Sequence, residues 1–235
     1  MTRTTNARVA GFTFLFYIAV AMTGMILAGR ASSGEGTAAK LASIAQHATS
    51  VRVAVVLELL GSFSALVLGV TLYAITRDQD PDLAMLAMTC RVAEGVIGAD
   101  SLSRPLGRLW LATATGPDAP DPASANALAA VLLKLPAGWT VNATFFAVGS
   151  LLFSYLLLRG RMIPVALAWV GVVASILAVV VLPLELVGVL SGPMTQLVWL
   201  PMLAFEVSLG LWLLIKGVAM PAGLTTGGHE SSLPG

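Results

Sequence analysis

The sequence predicts an all-α, polytopic integral membrane bundle of six transmembrane helices with both termini cytoplasmic. Three observations carry that reading. Of 235 residues, 57% are hydrophobic and 11% charged, with a mean hydropathy of +0.89, whereas soluble domains carry roughly 25% charged residues. Six apolar stretches have the length that a bilayer demands. Polar or turn-rich connections separate them, with basic residues near their ends.

A hydrocarbon core of ~30 Å takes about 20 residues of helix, because no backbone polar group finds water there. The qualifying stretches are residues 9–28, 51–76, 83–103, 137–158, 163–190 and 196–215. They make residues 1–217 a single transmembrane domain, followed by a polar tail over 218–235 that is expected to be disordered. The third stretch is the least apolar, so its place in the membrane depends on the others burying it. Between Thr113 and Pro136 the run TGPDAPDP marks a loop, and ASANALAAVLLKLP is too short to span. It reads as an interfacial helix, around Ala123 to Leu135, that lies at the outer surface and enters the fourth stretch.

MTRTTNAR, an apolar run and AGRAS also have the outline of a signal peptide. The run of about 20 residues is longer than an h-region of ~7–15, so a retained helix is expected. With the N-terminus inside, Arg3, Arg8, Arg77, Arg159, Arg161 and Lys216 are cytoplasmic. Arg30, Lys40, Arg52, Arg104, Arg108 and Lys134 are then outside, which balances the count. Loop length decides it: several outer charges lie in longer loops, whereas RGR at Arg159–Arg161 occupies a tight turn.

Other classes are excluded by composition. Net charge is +1 and the basic residues are scattered, so neither a nucleic-acid partner nor a polybasic lipid tract is expected. The single cysteine, Cys90, rules out an internal disulfide or a CxxC motif and reads as a packing residue. His47 and His229 lie outside the apolar stretches, so a bis-histidine haem or a three-histidine zinc site lacks ligands. No metal or cofactor is expected.

ARVAGFTFLFYIAV at the start, LELLGSFSALVLGVTLY in the second stretch, CRVAEGVIGAD in the third and RGRMIPVALAWVGVV entering the fifth occur in that order. In these segments the chain resembles the bacterial DUF4386 family of polytopic membrane proteins, over nearly all of its length up to Gly217. In that family's pattern the arginine of the third stretch, here Arg91, is followed three residues later by Gln or Glu, here Glu94. The asparagine usual near the end of that stretch is Asp100 here, which adds an acid. The resemblance implies a fold and a compartment, the bacterial plasma membrane, but no reaction.

The polar residues inside the stretches are the candidate site. At about 100° per residue, Arg91 and Glu94 are roughly 60° apart and can pair, and Asp100 and Arg104 form a second i, i+4 pair nearer the outer surface. Gly95 and Gly98 flank Arg91, where a neighbouring helix can approach. Ala54, Glu58, Ser62, Ala65 and Gly69 make a small, polar stripe, so Glu58 is expected to face protein. At ~1.5 Å per residue, Glu58, Asp100, Asn142 and Glu185 fall in the outer third and Glu94 and Glu206 near the centre. The acids Glu58, Glu94, Asp100, Glu185 and Glu206 outnumber Arg91 and Arg104. An unpaired carboxylate at mid-bilayer costs at least ~2.5 kcal/mol, so the surplus must be protonated, hydrated or balanced by a cationic ligand.

Three readings follow. The first is binding or translocation of a small ligand, a cation or a proton among the candidates, in an outward-facing polar cavity lined by Glu58, Asp100, Glu185 and Glu206, with Arg91, Glu94 and Asn142 beside them. The second is an intramembrane enzyme on a lipid or isoprenoid, with a protonated Glu58 or Asp100 as general acid. The third is a non-catalytic assembly partner, with Arg91 and its acids fixing helix register. Trp110, Trp139, Trp169 and Trp199 read as interfacial anchors rather than a ligand cage. The bilayer is the one partner the sequence requires, beside a small-molecule or lipid ligand.

Overall fold

The computed structural model describes residues 1–134 and 138–219. Most of the expected tail, with His229, lies outside the described residues, as do Leu135, Pro136 and Ala137. Ten helices are described: α1 (Arg3–Ala31), α2 (Gly36–Gln46), α3 (Ala48–Thr76), α4 (Pro81–Asp100), α5 (Ser103–Thr113), α6 (Pro122–Lys134), α7 (Gly138–Arg159), α8 (Val165–Leu186), α9 (Pro193–Leu197) and α10 (Trp199–Ile215).

Five helical segments are long and apolar enough to cross a membrane: Arg3–Ala31, Ala48–Thr76, Trp139–Arg159, Val165–Leu186 and Thr195–Ile215. α4, at 20 residues, has the length but not the apolarity, since Asp82, Arg91, Glu94 and Asp100 all belong to it. Its place comes from its neighbours. α1 packs on α3, α3 on α4, α4 on α7, α7 on α8, α8 on α10 and α10 back on α1, which closes a ring of six. The most polar long helix therefore sits between two apolar ones.

Helix starts and stops have local causes. Thr2 caps α1 by accepting from the Thr5 amide at 3.1 Å, and Asp80 caps α4 by accepting from the Leu83 amide, also at 3.1 Å. Pro81 follows it at the position where a missing N–H leaves no bond unmade. α8 stops at Leu186, short of the expected 190, where the Val187 amide turns back to Pro183 O at 3.2 Å and Gly188 takes φ 76°. The stretch expected as one helix over 83–103 divides at Ser101–Leu102, where Leu102 N bonds Ala99 O and Arg104 N bonds Ser101 O, each at 3.2 Å. Three-residue bonds there end α4 and redirect the chain as α5.

At the end of the ring that holds Thr2, the Arg3 guanidinium ties three segments together. It donates to Ile75 O, lies 3.7 Å from Met162 Sδ and 3.5 Å from the Asp78 carboxylate. The opposite end is capped by α2, α5 and α6, which pack on one another while α5 also touches α3. Of these, α6 matches the expected interfacial helix within two residues at each end; α2 and α5 fall where loop or membrane helix was expected. Ala31, Ile44, Val51 and Leu109 form the small core that holds the cap to the ring.

The ring's outer face is apolar, with Phe12, Phe63, Val96, Val173, Val180 and Leu211 all exposed. That is the surface lipid requires. Inside, small residues set the spacing. A Cβ added to Gly11 would lie 2.5 Å from Leu214 N and 2.6 Å from Gly210 O, so α1 and α10 touch backbone to backbone. Gly11→Ala should therefore lower stability by about 1–3 kcal/mol, whereas Gly29→Ala, with nothing within 4 Å of the added carbon, should leave it unchanged. Thermal melts in detergent distinguish them, and equal melting temperatures would refute the backbone contact.

Candidate functional site

Arg91 is the largest fully buried side chain, 1% exposed, near the middle of α4. Two glycines make that possible. A Cβ on Gly69 of α3 would lie 3.1 Å from Arg91 Cβ, and one on Gly149 of α7 would lie 3.3 Å from Arg91 Cδ. The arginine stem thus fills space that any larger residue on either neighbour would take. Its guanidinium carbon lies 5.1 Å from the Phe146 ring centroid and 6.0 Å from that of Phe14, so rings of α7 and α1 flank the charge.

Around the guanidinium stand two acids and a phenol. Nη1 lies 2.9 Å from Glu94 Oε2, one turn along α4. Tyr17 of α1 donates its hydroxyl to Glu94 Oε1 at 3.0 Å. Glu206, 5% exposed on α10, is close enough to interact electrostatically with both Arg91 and Glu94. Few of these groups are saturated. Arg91 Nε, Nη1 and Nη2, Glu94 Oε2 and Glu206 Oε1 are buried without a well-aligned hydrogen bond. The Arg91–Glu94 contact is one of opposite charges at short range rather than a fork of directed bonds.

A second polar site lies at the capped end. It is a recess of about 280 Å³ between α1, α2, α3, α5, α6 and the start of α7, lined by Glu58, Ser101, Arg104, Arg108 and Trp139 among others. The Glu58 flank of α3 is exposed to this recess rather than packed against protein as the stripe pattern had implied. Arg104 and Arg108 are i, i+4 neighbours on α5 and share one face. Burial is the largest influence on Arg108 and lowers its basicity, with the Glu58 carboxylate opposing from across the recess.

The sequence candidates thus fall into separate groups. Arg91, Glu94 and Glu206 come together in the ring; Glu58 stands apart with two arginines. Asp100 is exposed at the end of α4, and its expected ion pair with Arg104 is not formed, because the turn at Ser101–Leu102 carries Arg104 onto α5. Asn142 is half-buried where α7 meets α4: its Nδ2 would be 3.1 Å from a Cβ on Gly98, and its Oδ1 lacks a partner. Glu185 is half-buried near the end of α8. Asp100, Asn142, Glu185 and Glu206 are not among the walls of the recess. Tyr17, Phe14 and Phe146 were not singled out by sequence reading, nor was Arg108 as a partner across from Glu58. Trp110, Trp139 and Trp169 are more than half exposed, while Trp199 packs on the core and meets Trp139 in a tilted contact, with centroids 5.4 Å apart. Among the described residues no three His, Cys, Asp or Glu side chains group as a metal ion would need.

Long apolar helices around a buried charged cluster define a multi-pass membrane protein. Within that class the chain belongs to the DUF4386 family, described as a domain of unknown function, whose model matches residues 9–217. No curated protein and no solved structure matches it.

Removing one member of a buried pair strands the other. Arg91→Ala should cost roughly 3–5 kcal/mol, and Arg91→Met combined with Glu94→Gln should recover most of that loss. Chemical unfolding in detergent reads both; a single variant as stable as the wild type would show that Arg91 is not compensating the acids.

Proposed function

We propose that this is a six-span protein of the bacterial plasma membrane, with both termini cytoplasmic, that binds or passes a proton at Arg91, Glu94 and Glu206. The observation that carries the reading is the charge count of the enclosed cluster. Two carboxylates, Glu94 and Glu206, share one guanidinium, and all three side chains are at most 5% exposed. With both acids ionised the cluster would hold one uncompensated negative charge, which hydrocarbon penalises by at least ~2.5 kcal/mol. A single proton removes it. The cluster is packed against Phe14, Phe146, Gly69 and Gly149, which favours a proton over any larger cation.

The placement of the cluster supports exchange rather than permanent storage. Glu94 and Glu206 are on different helices of the ring, and Glu94 Oε2 and Glu206 Oε1 are buried without a hydrogen bond, so a proton has an acceptor on each of two helices. Tyr17, hydrogen-bonded to Glu94, is a third group able to relay it. Six spans follow from α4 crossing with its two apolar neighbours. An even number then places both termini on one side, and Arg159 and Arg161 in their tight turn favour the cytoplasm.

Infrared spectra of the carboxyl stretch test the cluster. A protonated carboxyl is expected at neutral pH in the wild type, diminished in Glu94→Gln and in Glu206→Gln and unaffected by Glu58→Gln. A wild-type spectrum without it would sink the proposal. Orientation is tested separately with Arg77→Cys in a Cys90→Ala background: a membrane-impermeant thiol reagent should fail to label intact cells and should label opened ones. Labelling from outside reverses the topology.

A further inference from the structure

The recess at the capped end is distinct from the proton cluster in both shape and charge. Its walls carry two guanidiniums, Arg104 and Arg108, against one carboxylate, Glu58, an excess of one positive charge. Among the described residues, neither arginine lies within 4 Å of an acid, since the ion pairs there involve Arg3, Arg77, Arg91 and Arg159. Arg108 Nε is buried and without a hydrogen-bond partner. Two neighbouring guanidiniums thus line the recess with Glu58 across from them but without a direct ion pair, which leaves donors free for an anion.

Apart from Ser32 and Ser101 the remaining walls are apolar, among them Ile44, Val55, Leu132, Leu133 and the Trp139 side chain. The recess lies where α2, α5 and α6 close one end of a bundle of membrane-crossing helices. With those helices set across a bilayer, that end falls near the level where lipid headgroups meet acyl chains. Its volume of about 280 Å³ is at the lower limit of ligand pockets, ~300–1,000 Å³, and suits a headgroup with the first part of a chain rather than a whole lipid.

We propose that this recess binds a phosphate-bearing amphiphile, its phosphate held by Arg104 and Arg108 and its apolar chain laid against Leu132, Leu133 and Val55. Planar guanidiniums match phosphate oxygens in pairs, and a phosphodiester's single negative charge cancels the excess of the walls. Glu58, on the opposite wall, repels the phosphate and so confines it to the α5 side. This site makes no use of Arg91, Glu94 or Glu206, so its test is independent of theirs.

Native mass spectrometry of the full chain in detergent reads the binding. Phosphatidylglycerol should bind about tenfold or more tightly than diacylglycerol of the same chains, and Arg104→Gln with Arg108→Gln should abolish that preference. Equal affinity for the two lipids, or a preference that survives the double substitution, overturns the site. Glu58→Gln keeps both guanidiniums and removes the opposing charge, so it should tighten phosphatidylglycerol severalfold. Where the double variant does not fold, this single substitution decides between the outcomes, and weaker binding there overturns the placement. Millimolar inorganic phosphate separates the sources of the anion: displacement of the lipid assigns the recess to phosphate alone, and no displacement assigns it to the amphiphile.

Discussion

An arginine enclosed by apolar helices cannot shed its charge, so everything around Arg91 has to accommodate a permanent cation. Glu94 supplies the nearest counter-charge at 2.9 Å, and Glu206 supplies a second from across the ring. Phe14 and Phe146 turn their faces toward the guanidinium, which offers a partial negative potential where no water can reach. The stem needs room as well, and Gly69 and Gly149 provide it on either side. Residues from five helices, α4 itself included, are thus committed to one side chain. α4 can be the least apolar of the six because Arg91 and Glu94 are buried within the ring and not exposed to lipid.

That arrangement explains the use of glycine elsewhere. Helices that meet through large side chains stand 8–10 Å apart, too far for a ring of six to close without a hole at its centre. Gly11 against Gly210 brings α1 and α10 into backbone contact, and Gly95 against Ser62 O does the same for α4 and α3. Close approach at these points leaves an interior narrow enough to be filled by Phe14, Phe146 and Phe205. Because no hydrophobic effect drives helix association inside lipid, this packing and the polar contacts of Arg91 supply the cohesion.

The length of the apolar stretches made five membrane helices legible, with ends displaced by up to six residues, because crossing a bilayer sets a minimum length. The pairing of Arg91 with Glu94 was equally visible, since spacing along one helix determines it. Two features were not. α2 and α5 are short and amphipathic, and neither property separates a cap helix from a polar loop or from the end of a longer helix. The assignment of Arg104 to α5 depends on a turn at Ser101–Leu102, which the sequence marks only through Pro105 in the first turn of α5. With the turn unseen, Arg104 belonged with Asp100, and the acids of the outer third looked like a single cluster. Tyr17 had no signal at all: a tyrosine within FLFYIAV is indistinguishable from apolar filling until the fold places α4 beside it.

Dividing the acids between two sites changes what each can do. A single outward cavity lined by Glu58, Asp100, Glu185 and Glu206 would be strongly anionic and would select cations at its mouth. Instead, Glu58 faces two arginines, which leaves the mouth cationic, while Glu206 lies in an enclosed cluster that is anionic unless protonated. Trp139 at the recess, Trp199 beside it and Phe146 over Arg91 form successive ring contacts, 5.4 Å and 6.0 Å between centroids, that run from one site to the other. Those rings place bulky apolar surface between the two sites. A cation approaching from the capped end would meet first a repelling charge and then a packed apolar barrier. The two proposed sites would therefore sort chemistry by depth: anions with apolar chains at the capped end, and in the enclosed cluster a species as small as a proton.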